Sequence, residues 1–218
     1  MKKKEIIYED IKAKLINGKF KANEVLKEEE LAGKYKVSRT PVREALQLLV
    51  KDGFLIHKRK VGYIIKPLTK NELKEIVGIR SVLESYAARL TTENYNRRLI
   101  EKLEKLVKKT EECLKEDNIQ KFFKFNWEFH YELYRSSGNK KLVEIIDNLR
   151  ENFQRYSRLL LNIASMPYES LSDHKEMLKA MKEKNPDKVE KMVKDHILKG
   201  GKALLERIEK DDYLGFIY

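Results

Sequence analysis

The sequence predicts a mainly α chain of two units. Residues 1–67 read as three short helices closed by a small β wing, and residues 68–218 as an all-α antiparallel bundle of about six helices. Three observations carry this. Val42, Ala45, Leu46, Leu49 and Val50 recur at helical spacing directly after Ser38-Arg39-Thr40-Pro41, a good opening for a helix. Two β-rich runs, Phe54–His57 and Gly62–Ile65, flank the basic tip Lys58-Arg59-Lys60-Val61. Beyond Pro67, helical periodicity runs almost to the C-terminus, and the only prolines there are Pro167 and Pro186.

In chain order, Ile6, Ile7, Ile11 and Leu15 make one amphipathic helix, and Leu26 to Tyr35 makes a shorter one. A polar turn leads to the third helix, which Asp52-Gly53 ends. Thr69-Lys70-Asn71-Glu72 forms a capping box opening a long helix. The bundle helices are expected at 70–92, 97–116, 119–136, 140–163, 170–183 and 186–210. Ser137-Gly138-Asn139 breaks the chain between the third and fourth, and Asn185-Pro186-Asp187 caps the last. Phe122-Phe123-Lys124-Phe125 reads as core.

The third helix is built to be anchored on one side and free on the other. Arg39 and Arg43 follow each other at i,i+4 on its free face, near the N-terminus, so two guanidinium groups project from one end. Three short helices with a tight turn before the third form a helix-turn-helix, here with a basic wing. Charge agrees: residues 1–70 hold 18 Lys and Arg against 9 Asp and Glu, a balance of +9 out of the chain's +12. An excess concentrated on the first third draws in a polyanion, whereas charge for solubility alone would be spread. The single cysteine, Cys113, excludes an internal disulfide and suits a reducing compartment. No apolar run approaches the roughly 18 residues of a membrane span, and the Lys2-Lys3-Lys4 start lacks a signal peptide's apolar segment, so a cytoplasmic location is expected.

Residues 6–66 resemble the winged helix-turn-helix domain of the GntR family of bacterial transcription regulators. The resemblance rests on Val37-Ser38-Arg39-Thr40-Pro41-Val42-Arg43-Glu44-Ala45-Leu46, on Asp52-Gly53 and on the wing ending Gly62-Tyr63-Ile64-Ile65. It implies that Ser38, Arg39, Thr40, Arg43 and Gly62, with Arg59 and Lys60 at the wing tip, contact double-stranded DNA. One position departs from the pattern: many members carry an arginine before the Glu-Leu pair of the second helix, where this chain has Glu29. A carboxylate there disfavours phosphate.

Four histidines are present: His57 in the wing, and His130, His174 and His196 on three different expected helices, with Asn126 one turn before His130 on the same face. Imidazoles on inward faces of separate helices can converge on a metal, or they can be ordinary half-buried residues, and spacing alone leaves both readings open. Residues 71–210 resemble the FCD ligand-binding domain of the FadR-type branch of GntR regulators. The matching residues are Arg80 and Glu84, Asn126-Trp127-Glu128-Phe129-His130, Gly138-Asn139, Asp173-His174 and Asp195-His196-Ile197. The resemblance implies one divalent ion per chain held by Asn126, His130, His174 and His196. Asn126 stands where the family carries a carboxylate, and a neutral oxygen beside three imidazoles favours Zn²⁺ or Ni²⁺ over Mg²⁺ or Ca²⁺.

Three histidines and one oxygen leave coordination positions open, which a small organic acid can fill. The resemblance places Arg80 to hold the other end of that effector, while Arg80 at i,i+4 from Glu84 can equally form a plain ion pair. A metal-dependent hydrolase is the rival class, but Glu84, Glu128 and Asp195 show no spacing defining a general base, and no G-x-S-x-G or phosphate-binding glycine loop is present. A regulator whose metal is purely structural is the other alternative. One recognition helix per chain calls for a homodimer on a palindrome-like operator. The expected function is therefore a repressor controlled by a small carboxylate, not an enzyme.

Overall fold

The structure is a computed structural model that describes residues 2–67, 69–157, 163 and 165–210. In the N-terminal unit α1 (Lys3–Ile16) turns Ile7, Ile11 and Leu15 inward. Ile6 lies one residue out of that i,i+4 series and is 52 % exposed, so it is not part of the core predicted for it. β1 (Val25–Leu26) stands where the periodicity predicts the start of the second helix. Leu26 is buried and its backbone joins a sheet, so α2 (Glu28–Tyr35) begins two residues later. Lys36, in the left-handed region at φ 53°, turns the chain into α3 (Arg39–Lys51). Here Val42, Ala45, Leu46 and Leu49 are fully buried against α1, and Val50 is partly buried.

The wing is β2 (Leu55–Lys58) and β3 (Gly62–Ile65), antiparallel with Leu55 opposite Ile65 and Lys58 opposite Gly62. β1 adds to its other edge, Leu26 opposite Tyr63, giving the order β1–β3–β2. Gly62 is required by this sheet: its φ is +120°, and a Cβ there would meet the Leu26 carbonyl oxygen at 3.2 Å.

The C-terminal unit is α4 (Lys70–Glu93), α5 (Arg97–Lys115), α6 (Ile119–Arg135), α7 (Lys140–Ser157), α8 (Met166–Lys182) and α9 (Pro186–Lys210), six helices among the described residues. Thr69 accepts the Glu72 N–H at 3.1 Å, half of the predicted capping box. The Glu72 carboxylate turns instead to Lys66 at 2.6 Å and the Tyr156 hydroxyl at 3.0 Å. Asn139 caps α7 by accepting the Leu142 N–H, and Asn185 caps α9 by accepting the Lys188 N–H. α8 starts four residues before the predicted 170, because Pro167 sits in its first turn, where no N–H is needed. The predicted continuation of α7 falls mostly outside the described residues, and Ile163 is not helical.

The two units have separate apolar cores, one from Ile7 to Ile65 and the other from Leu73 to Ile208, with a smaller cluster of Ala87, Tyr134, Leu142 and Ile146 beside the latter. α4 runs through the middle of the bundle against α9, α7 and α6. Its approach to α9 is so close that a Cβ on Gly201 would meet Val77 at 2.4 Å. Phe122 and Phe123 are buried in this core, as predicted.

Candidate functional site

α6, α8 and α9 each bring one histidine to a common point. The ligating nitrogens of His130, His174 and His196 all lie within 4.8 Å of one another. Nε2 of His130 and Nε2 of His174 are 3.2 Å apart. Two nitrogens bound to one ion at about 2.0–2.1 Å, at angles between a right angle and tetrahedral, stand about 2.8–3.4 Å apart, so this pair already has the spacing of two ligands of one ion. His174 is 1 % exposed, and its ring stacks on Phe129 at 4.0 Å between centroids, which fixes its plane.

Burial, reinforced by the neighbouring imidazoles and, for His130, by the Arg80 guanidinium, holds the pKa of both buried imidazoles well below the ordinary value. They are neutral and able to donate lone pairs. His196 places Nδ1 2.9 Å from the Asp173 carboxylate. An Nδ1–H donated to that carboxylate leaves Nε2 as the lone-pair nitrogen. Burial raises the Asp173 pKa, but the His196 hydrogen bond and the nearby Lys199 cation outweigh it, so the carboxyl stays below its ordinary value. The donor set therefore fits a divalent transition-metal ion.

Asn126, His130 and His196 line one cavity together with Arg80, Trp127, Phe153 and Ser170. Asn126 is thus near the cluster, but its Oδ1 accepts the Ser170 hydroxyl at 2.7 Å, so a ligand bond would have to use the remaining lone pair or displace Ser170. Arg80 is 4 % exposed and serves both readings drawn from its sequence position. Its Nε donates to Glu84 at 2.6 Å, and its guanidinium carbon lies 4.0 Å from the Phe153 ring centroid while the side chain faces the cavity. Glu84 orients the guanidinium, and Phe153 is its floor. Sequence reasoning missed Asp173, Ser170, Trp127 and Phe153 as parts of this site. The Asp-His dipeptide was a signal for Asp173, but nothing local places Phe153 beside Arg80.

On the N-terminal unit Ser38, Arg39, Thr40 and Arg43 are exposed at the start of α3, and Arg59 and Lys60 at the wing tip. Ser38 takes the N-cap position, yet its side chain makes no capping hydrogen bond. The sequence predicts two free guanidinium groups, but in the structure both are engaged. Arg43 grips Glu28 through Nε and Nη2 at 2.9 and 2.8 Å, and Arg39 Nη2 meets Glu29 at 2.5 Å. The reason is tertiary: α2 packs against α3 and presents its first turn to those arginines.

The sequence pattern of the family described as "Bacterial regulatory proteins, gntR family" matches residues 3–65, and that of the FCD domain matches residues 75–199. The chain is 31% identical over 193 residues to the HTH-type transcriptional regulator YdhC of Bacillus subtilis (strain 168), covering 88% of this chain and 84% of that protein. It is 27% identical to the gluconate operon transcriptional repressor of Bacillus licheniformis, over 82% of this chain and 75% of that one. In fold it is similar to E. coli McbR/YncC, with a TM-score of 0.76 and 24% identity over 95% of this chain and 99% of the other.

Proposed function

Because the chain belongs to the GntR family of bacterial regulatory proteins and carries an FCD domain, and is therefore a DNA-binding transcription regulator, we propose that it is a cytoplasmic repressor whose operator affinity is set by a small carboxylate. Its relatives are transcription regulators rather than enzymes, which removes the hydrolase reading. Residues 1–67 form the DNA-binding unit, and residues 68–218 the sensing and dimerising unit. Arg39, Thr40 and Arg43 read base edges with Ser38 beside them, while Arg59, Lys60 and Gly62 of the wing take the adjoining backbone.

The observation that carries the sensing half of this reading is that Arg80 lines one cavity together with His130 and His196, two members of the trihistidine cluster. His130, His174 and His196, with Asn126, would hold one divalent ion, Zn²⁺ or Ni²⁺ by the chemistry of the donors. A bound ion supplies open coordination positions for a carboxylate. Arg80, oriented by Glu84, takes a second oxygen of the same ligand, and Phe153, Trp127 and Met166 wall off water. A purely structural metal gives the Arg80 guanidinium no role in the cavity that it lines beyond its pair with Glu84.

α7 links that cavity to the DNA-binding unit. Within four residues it carries Phe153 under Arg80, Arg155, which donates to the Lys66 carbonyl with its guanidinium 5.9 Å from the Phe54 ring centre, and Tyr156, which accepts the Thr69 N–H at 3.1 Å. A ligand that shifts Phe153 therefore pulls on the interdomain linker, and biasing two arrangements of the units is how an effector changes operator affinity.

The homodimer is built on the outer face of α4. Gly78, Ile79, Val82 and Tyr86 are exposed there without a charged residue among them, in a chain that is 38% charged, and Ile145 of the neighbouring α7 is exposed as well. A second copy of the same face covers this stripe and sets two recognition helices on the two halves of a palindrome-like operator. Val82→Asp is expected to run as a monomer in analytical ultracentrifugation and to lose operator binding; a variant that stays dimeric would place the interface elsewhere.

The test of the sensing reading is calorimetry with citrate, malate and gluconate. Metal-loaded protein is expected to bind at least one of them far more tightly than chelator-treated protein. Arg80→Ala should keep the ion and lose that binding. Equal binding with and without the ion, or by Arg80→Ala and parent alike, would leave the structural-metal reading in its place.

A further inference from the structure

The recognition arginines are neutralised in two different ways, and the difference has a consequence for how DNA is chosen. Glu28 is embedded: its side chain is 22% exposed, and both of its oxygens hold Arg43 along one edge of the guanidinium, through Nε and Nη2. Such a fork fixes the direction in which Arg43 points. Glu29 is 77% exposed, and touches Arg39, itself 59% exposed, through a single nitrogen at 2.5 Å. Its neighbour in the acidic turn, Glu30, is occupied with Lys27. An exposed pair of this kind is weak and gives way to a better partner.

From this arrangement, and resting on the DNA-binding reading, we infer that Glu29 is a specificity-determining residue that discounts phosphate contacts by Arg39 and so raises the preference for operator over random DNA. Sequence-independent affinity is counterion release by cations placed on phosphates. While Glu29 holds Arg39, that cation is compensated within the protein and releases little. If Arg39 swings to a phosphate, it leaves a bare carboxylate near the DNA backbone, at the first turn of α2, which in a helix-turn-helix runs beside that backbone. A base edge offers a different exchange. Glu29 takes only one nitrogen of the guanidinium, and the donors left over can face guanine in the major groove, where the carboxylate is farther from the phosphates. Sequence-independent binding is therefore penalised more than operator binding.

The experiment uses the full-length chain and two duplexes of about 30 base pairs, one of mixed sequence and one that the parent enriches from a random pool, titrated by fluorescence anisotropy at several salt concentrations. With Glu29→Gln, affinity for the mixed-sequence duplex is expected to rise about fivefold to tenfold near 0.1 M salt, and the slope of log K against log salt to steepen by about 0.9. Affinity for the enriched duplex should rise by a smaller factor, so the ratio of the two falls. In an Arg39→Gln background the same substitution should change neither slope nor ratio. The inference is overturned if Glu29→Gln leaves mixed-sequence binding and its slope at the parent's values, if both duplexes gain equally, or if the effect persists without Arg39. Circular dichroism melting of each variant checks that α2 remains folded. Whether the parent enriches any duplex tests the DNA-binding reading by itself, while the mixed-sequence titration decides the role of Glu29 in either case.

Discussion

Replacing His174 with alanine is expected to strip the protein of about one divalent ion per chain and to lower its melting temperature by as much as chelation lowers that of the parent. His174 sits at the centre of the site: it is 1 % exposed, lies with Nε2 3.2 Å from Nε2 of His130, and is stacked on Phe129. Losing it removes one of three imidazoles and leaves two that cannot enclose an ion. An ion that binds only the folded state stabilises it by RT ln(1 + [M]/Kd), about 2.7 kcal/mol when free metal is a hundredfold above Kd. The check is elemental analysis with differential scanning calorimetry on parent and variant, each with and without chelator. Chelator should shift the parent and leave His174→Ala unmoved. Full metal occupancy in the variant would show that the ion is held elsewhere and would remove the sensing mechanism with it.

For Arg43→Ala the expected result is a loss of operator affinity of about tenfold to a hundredfold, with helicity and dimer mass unchanged. The loss has two parts. The guanidinium no longer reaches its base, and Glu28, which Arg43 engages at 2.8 and 2.9 Å, is left as an unmatched carboxylate facing DNA. The Arg43 hydrogen bond holds the Glu28 carboxyl below its ordinary pKa; without Arg43 the carboxyl rises towards the ordinary carboxylate range, where it is still charged at neutral pH. Arg43→Lys, which keeps the charge and loses the fork, should fall between parent and alanine variant, and Arg43→Ala/Glu28→Gln should recover part of the loss. Anisotropy titrations of the four proteins on one duplex measure this. An alanine variant binding as tightly as the parent would mean that α3 is not the reading helix.

The elements legible in the sequence are those whose signal is local. α3 announced itself through Pro41 in its first turn and an apolar face repeating every three or four residues, and those residues are buried in the structure. α4, α5, α6 and α9 lie within about two residues of their expected bounds, because long periodic stretches with good caps leave few alternatives. β1 was hidden for the opposite reason: two residues carry no periodicity, and what makes Val25–Leu26 a strand is the edge of β3, nearly forty positions away. Ile6 shows the same limit, since an isoleucine within a helical run does not reveal which of two adjacent residues faces the core.

By itself the sequence determined the two-unit mainly α architecture, the surface of α3 that faces outward and the set of histidines worth watching, because helical period, caps and charge segregation are written within one turn or two of chain. Only the tertiary structure decided that His130, His174 and His196 meet, that Asp173 orients His196, that Phe153 floors Arg80 on the way to the linker, and that Glu28 and Glu29 occupy Arg43 and Arg39. Each of these joins side chains on different helices. Their distance is set by how the helices pack, and packing is decided by burial summed over the whole core rather than by the residues that come to face each other.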